Sequence, residues 1–129
     1  MNFSELAEGL QHIGIPTGDM EKTIAFYQNI GFKEELLTNH PDTGDRVAFL
    51  KLGSLVLEIY ECESLAGKDG AINHFAINVT DIESAYQLAR EKQLRILEPV
   101  QFLPFWENGV RFFIVEGPNR ERVEFSQIL

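Results

Sequence analysis

His12-Ile-Gly-Ile-Pro-Thr-Gly-Asp19-Met-Glu21 returns 62 residues later as His74-Phe-Ala-Ile-Asn-Val-Thr-Asp81-Ile-Glu83, with the histidine, an isoleucine, the aspartate and the glutamate in register. A repeat of this length is a supersecondary unit, so its content decides the fold. The match continues along each half. Two residues later in the offset, Phe49-Leu-Lys-Leu-Gly53 lies over Phe113-Ile-Val-Glu-Gly117, and after two more in a hairpin turn Leu57-Glu58 lies over Val123-Glu124. Each half therefore runs from a histidine to a glutamate.

Within each half the pattern spells β-α-β-β-β. His12 to Ile15 and His74 to Val79 are short β-rich runs with alternating character. Asp19 and Asp81 are suited to cap the helices that follow. Met20, Thr23, Ile24 and Tyr27, and then Ile82, Ala85, Tyr86 and Ala89, recur at helical spacing. Gly31 is a stop for the first helix, whereas the second ends near Lys92 without a glycine. Three strands complete each unit, roughly Lys33 to Leu37, Asp45 to Leu52 and Leu55 to Glu61, then Arg95 to Phe102, Val110 to Glu116 and Arg122 to Gln127. Module 1 covers about residues 9–63 and module 2 about 71–129 of one domain spanning 1–129, with Ala66 to Ala71 as the link. The expected class is α+β.

Composition narrows the partners. The chain has 129 residues, 44% hydrophobic and 24% charged, enough for one sizeable core. Twenty acidic against 11 basic side chains give a net charge of −9, which repels a polyanion and excludes nucleic acid. Cys62 is the only cysteine, so no internal disulfide forms and a reducing compartment fits. The opening Met-Asn-Phe-Ser-Glu-Leu lacks the cationic start of a leader, and no run approaches the ~18 apolar residues of a membrane span. A soluble cytoplasmic protein is expected.

Strand parity gives the chemistry a place. Ile13 and Ile15 fall on one face and His12 and Gly14 on the other; Leu57 and Ile59 oppose Glu58, Phe75 and Ile77 oppose His74, and Val123 and Phe125 oppose Glu124. Taken singly, each of these titratable residues is most simply a solvated side chain. Together, His12, Glu58, His74 and Glu124 recur at matching places in a duplicated frame and form a candidate ligand set for one divalent ion. Without a thiolate, imidazole and carboxylate suit nickel, cobalt, manganese, iron or zinc in a six-coordinate site completed by water.

Elsewhere, Phe102, Phe105, Trp106, Phe112 and Phe113 cluster around Pro104-Phe-Trp-Glu-Asn-Gly109. Most of them read as core, with Phe105 and Trp106 also candidates to wall a substrate pocket. Arg122 shares a strand face with Glu124 and is a candidate anchor for substrate, as are Arg46 and Arg111, although a solvated face accounts for each. His40 reads as exposed.

The phrase His12-Ile-Gly-Ile, followed by Gly18-Asp-Met-Glu-Lys-Thr-Ile-Ala-Phe-Tyr-Gln-Asn-Ile-Gly-Phe32, resembles the opening of the vicinal oxygen chelate superfamily of glyoxalases, bleomycin resistance proteins and dioxygenases. Val56-Leu-Glu58-Ile, Asn73-His74-Phe-Ala-Ile and Glu116-Gly-Pro-Asn-Arg-Glu-Arg-Val-Glu124-Phe resemble its other ligand strands. The resemblance implies paired β-α-β-β-β modules in a cupped mixed sheet around one metal, a small-molecule substrate and a homodimer. By likeness to glyoxalase I it implies a lactoylglutathione lyase-like reaction: proton abstraction next to a carbonyl through an enediolate, with Glu124 as base and Glu58 as its counterpart. The family's two glutathione-engaging positions are here Pro16 and Cys62, which argues against a glutathione adduct as substrate. Val47-Ala-Phe-Leu-Lys-Leu-Gly53 also resembles methylmalonyl-CoA epimerase, whose catalytic glutamate falls near Asp42, a residue that reads equally as part of a turn. A metal-free drug-binding protein of bleomycin resistance type is the other alternative, and the net charge suits it.

Overall fold

A computed structural model describes residues 2–68, 70 and 72–129. Asp69 and Ala71, in the expected link and at the expected start of module 2, lie outside the described residues. The chain divides into two compact units, Met1–Leu65 and Ala66–Leu129. Each carries one four-stranded mixed sheet and one principal helix, as the repeat implies.

The first unit opens with a short helix α1 (Phe3–Leu6), for which the sequence carries no periodic signal. It continues through β1 (Ile13–Thr17), α2 (Met20–Asn29), β2 (Lys33–Asn39), β3 (Arg46–Leu52) and β4 (Leu55–Glu61). The strand order is β1-β4-β3-β2, with β1 parallel to β4 and the remaining pairs antiparallel. β1 begins one residue after His12 and runs on to Thr17, through Pro16. An edge strand tolerates a proline because one side of it makes no ladder bonds. Asp19 caps α2 by accepting from Lys22 N at 3.0 Å, and Met20, Thr23 and Tyr27 bury the helix face against the sheet. There Leu50, Leu57 and Ile59 are fully buried.

The second unit repeats the series as β5 (His74–Asn78), α3 (Ile82–Glu91), β6 (Arg95–Leu103), β7 (Val110–Glu116) and β8 (Arg122–Ile128), in the order β5-β8-β7-β6. Asp81 caps α3 through Ser84 N. α3 closes at Lys92, and Gln93 takes the left-handed conformation (φ 57°) that Gly31 (φ 110°) supplies at the matching place in the first unit. No helix among the described residues is long and apolar enough to cross a membrane.

Sheet register corrects one equivalence expected from the repeat. Phe49 pairs with Glu58, whereas Glu124 pairs with Ile114, not Phe113. The two hairpins differ by one rung between turn and glutamate, and a one-residue slip sends a side chain to the opposite face. Phe113 consequently lies in the core, stacked on Phe125 (5.0 Å between ring centroids) and edge-on to Tyr86, while Phe49 is half-buried on the glutamate's face.

The aromatic loop is also corrected. Phe102, Phe105 and Trp106 are not core: Trp106 is 65% exposed and the other two are exposed as well. Phe102 lies near the end of β6, in register with Arg111, and Phe105 and Trp106 follow in the loop between β6 and β7. Trp106 takes a positive φ of 58° there. Gly109 (φ 92°) holds a positive φ that favours glycine, and a Cβ there would meet the Phe102 ring.

Candidate metal centre

In the first unit the parallel register sets Gly14 beside Glu58, so His12, two residues earlier, falls on the same face as the carboxylate. His12 Nε2 stands 3.8 Å from Glu58 Oε1, with both side chains about one-third exposed. The Phe49 ring meets the imidazole edge-on at 6.0 Å. In the second unit His74 Nε2 stands 3.5 Å from Glu124 Oε1. His74 is exposed, whereas Glu124 keeps only 16% of its side chain in solvent.

Each histidine is oriented by the residue before it. His12 Nδ1 lies 3.0 Å from Gln11 Oε1, and His74 Nδ1 lies 2.9 Å from Asn73 Oδ1. An amide oxygen only accepts, so in the neutral imidazole Nδ1 carries the proton and the Nε2 lone pair faces the glutamate. In that form a cation between the lone pair and the carboxylate oxygen joins the two favourably. This outer-shell arrangement matches that of metal-ligating histidines. The repeated amide before each histidine was the sequence signal for it, and the reading of the ligands alone passed over it.

Burial pushes the Glu124 carboxyl above the ordinary glutamate range; the charge of Glu98 adds to this and that of His74 opposes it. Such a carboxylate gains from a cation, and the donor set of imidazole nitrogen and carboxylate oxygen fits a borderline or hard divalent ion. Each unit by itself brings two candidate ligands. No group of three or more His, Cys, Asp or Glu side chains that could hold a metal ion occurs among the described residues.

The three arginines offered as anion anchors are ion-paired rather than simply solvated. Arg46 bonds Glu21 and, at 3.1 Å, Glu61; Arg111 bonds Glu83; Arg122 bonds Glu98. Arg46 and Arg111 pair with helix residues Glu21 and Glu83 and tie helix to sheet. Arg122 alone lies on the face of a His–Glu pair, as the register partner of His74. Phe105 and Trp106 make a ring contact with each other (6.4 Å). Asp42 is exposed in the β2–β3 turn, its backbone N–H donating to His40 Nδ1, which is also exposed. Cys62 Sγ–H points to Ser64 O at 3.6 Å.

Comparison with known proteins agrees with this architecture. The chain is 29% identical to the uncharacterized protein YwbC of Bacillus subtilis over 130 positions, covering 95% of this chain and 99% of that one. It is 32% identical to human mitochondrial methylmalonyl-CoA epimerase over 98 residues, 68% of this chain but 56% of the epimerase. Among solved structures, a glyoxalase family protein from Enterococcus faecalis superposes with a TM-score of 0.79 at 23% identity, covering 94% of this chain and 98% of the other. The fosfomycin resistance protein FosX of Listeria monocytogenes, solved with Mn(II) and sulfate, superposes at 0.71 and 20% identity, over 95% and 94% of the two chains. The model of the Glyoxalase/Bleomycin resistance protein/Dioxygenase superfamily matches residues 9–125, and the chain belongs to that superfamily.

Proposed function

We propose that His12, Glu58, His74 and Glu124 hold one divalent ion, as a single set of four ligands completed within one chain or across a homodimer, and that the protein is a lyase or isomerase of glyoxalase type. The observation that carries this reading is the duplicated geometry: an imidazole Nε2, oriented by the preceding amide, facing a glutamate at 3.8 and 3.5 Å in the two units. The manganese in the structure of FosX supports a divalent ion of this class.

When bound, such an ion supplies Lewis-acid stabilisation of negative charge on a substrate oxygen. The chain's own residues do the rest. Glu124, partly withdrawn from water, has the character of a base that removes a proton from the carbon next to a carbonyl and returns it to the neighbouring carbon. Glu58 is the matching carboxylate of the first unit. Phe49 and Leu36 make the first unit's face apolar, and Arg122 offers N–H donors on the second.

A second reading, a methylmalonyl-CoA epimerase-like isomerase, is favoured by the 32% identity to the human epimerase. It would use the same ligands, with Asp42 weighed as a base. The two readings separate in deuterated water with metal-loaded protein. The glyoxalase reading expects conversion of 2-oxoaldehyde thiol adducts to 2-hydroxyacyl thioesters. The epimerase reading expects exchange of the α-proton of methylmalonyl-CoA with interconversion of its two epimers. Neither reaction with any of the five metals would overturn both.

A further inference from the structure

On the face of the second sheet that carries His74 and Glu124, three further polar side chains form a strap across β7. Arg122 lies two residues before Glu124 on β8. Glu98 lies on the far side of Ile114 from Glu124, because Ile114 pairs with both. The Arg122 guanidinium donates through Nη2 to one Glu98 oxygen, and Gln101 Nε2 donates to the other at 2.8 Å. Ile114, in the row between them, is only 4% exposed. By register the first unit has Val56 where the second has Arg122, and Leu36, 51% exposed, where the second has Glu98. Both units adopt one topology, so the fold does not demand the strap.

We propose that Glu98 is a positioning residue that neutralises Arg122 and so makes the Glu124 half of the site select substrates whose reacting end is uncharged: a hydroxycarbonyl or acyl oxygen rather than a carboxylate. This rests on the metal-centre reading above. A guanidinium has five donors, and a single bond to Glu98 leaves others able to meet a neutral acceptor. Arg122 Nε is buried without a hydrogen-bond partner. What the guanidinium lacks is net charge to offer, since Glu98 balances it. A carboxylate arriving beside the ion meets the Glu98 charge together with that of Arg122, so the strap adds no net attraction for it, and like charges brought together at an interface penalise the wrong ligand. The second unit thus favours 2-oxoaldehyde adducts over malonyl thioesters, against the direction in which overall sequence identity leans.

The test is binding to manganese-loaded full-length protein of two probes: hydroxyacetone, an uncharged hydroxycarbonyl, and methylmalonate, a dianion at neutral pH. The ratio of the two affinities in wild type is the reference. Glu98→Gln frees the Arg122 charge and should shift the affinity ratio toward methylmalonate by about tenfold, while Arg122→Gln leaves Glu98 unbalanced and should shift it about tenfold the other way. Opposite shifts are a signature that a purely structural role does not produce. Should one variant fail to fold, the sign of the shift in the other still decides. Ratios within twofold of wild type in a folded variant that binds both probes would overturn this inference while leaving the metal centre standing. Wild type that takes up no manganese and binds neither probe would overturn both.

Discussion

The two units share topology, cap, helix and a His–Glu pair, yet differ in what surrounds the pair. Around His12 and Glu58 the neighbouring positions are Val56, Phe49 and Leu36; around His74 and Glu124 they are Arg122, Ile114 and Glu98. One half presents a greasy surface and the other a fixed array of charges. The repeat carries the His–Glu pair twice, and the rows beside the two pairs differ. Beside a second carboxylate, Glu124 is pushed upward by burial, with His74 opposing and Glu98 adding to the shift.

The sharpest way to break the comparison is at the register difference. Phe113→Ala empties a core position stacked on Phe125 and should cost about 3–5 kcal/mol of stability. Phe49→Ala, on the half-buried site face, should cost about 1 kcal/mol. Denaturant unfolding measures both; equal costs would mean that the two phenylalanines are equivalent after all. Next in size, Gln11→Ala and Asn73→Ala should each weaken metal binding by roughly 10- to 100-fold, since each removes the acceptor that orients a histidine. A loss in one variant only would show that the two halves differ at the ligand shell as well as beside it.

The smallest effect concerns the metal-free protein. Glu124 titrates above its ordinary value of 4.5, so the folded state holds a proton that the unfolded state has already released. Stability from that proton is present below the unfolded value and is lost as pH climbs through the raised folded value. Glu124→Gln does not titrate. Metal-free Glu124→Gln should therefore match wild type at about pH 4 and exceed it modestly at about pH 7, by thermal unfolding at the two pH values. The reverse trend would mean that His74 outweighs burial at this carboxyl.

The repeat made the fold legible because its strands alternate cleanly and both helices begin at a capping aspartate. β4 and β7 lie where the pattern placed them, and in each sheet the histidine and the glutamate fall on one face. Less was visible where a neighbour decides. Gln93 does the work of a glycine because the chain after α3 forces its φ positive, and nothing in its side chain announces this. Phe49 and Phe113 look equivalent in a string, since a hairpin rung is a property of the paired strands. Phe105 and Trp106 read as core because large aromatics usually are, but a loop past the sheet end has nothing to bury them. The Glu98–Arg122 pair depends on a contact that composition and periodicity do not encode.

The central claim is that the two His–Glu pairs act as one metal centre. Elemental analysis of dialysed protein, wild type beside Glu58→Gln and His74→Ala, tests it with one ligand changed in each unit. The account predicts about one nickel, cobalt, manganese, iron or zinc per four-ligand set in wild type, lost in both variants, because each half depends on the other. Wild type that stays empty after incubation with every one of these metals would contradict it and point to a ligand-sequestering protein, and metal retained in either variant would contradict a shared centre.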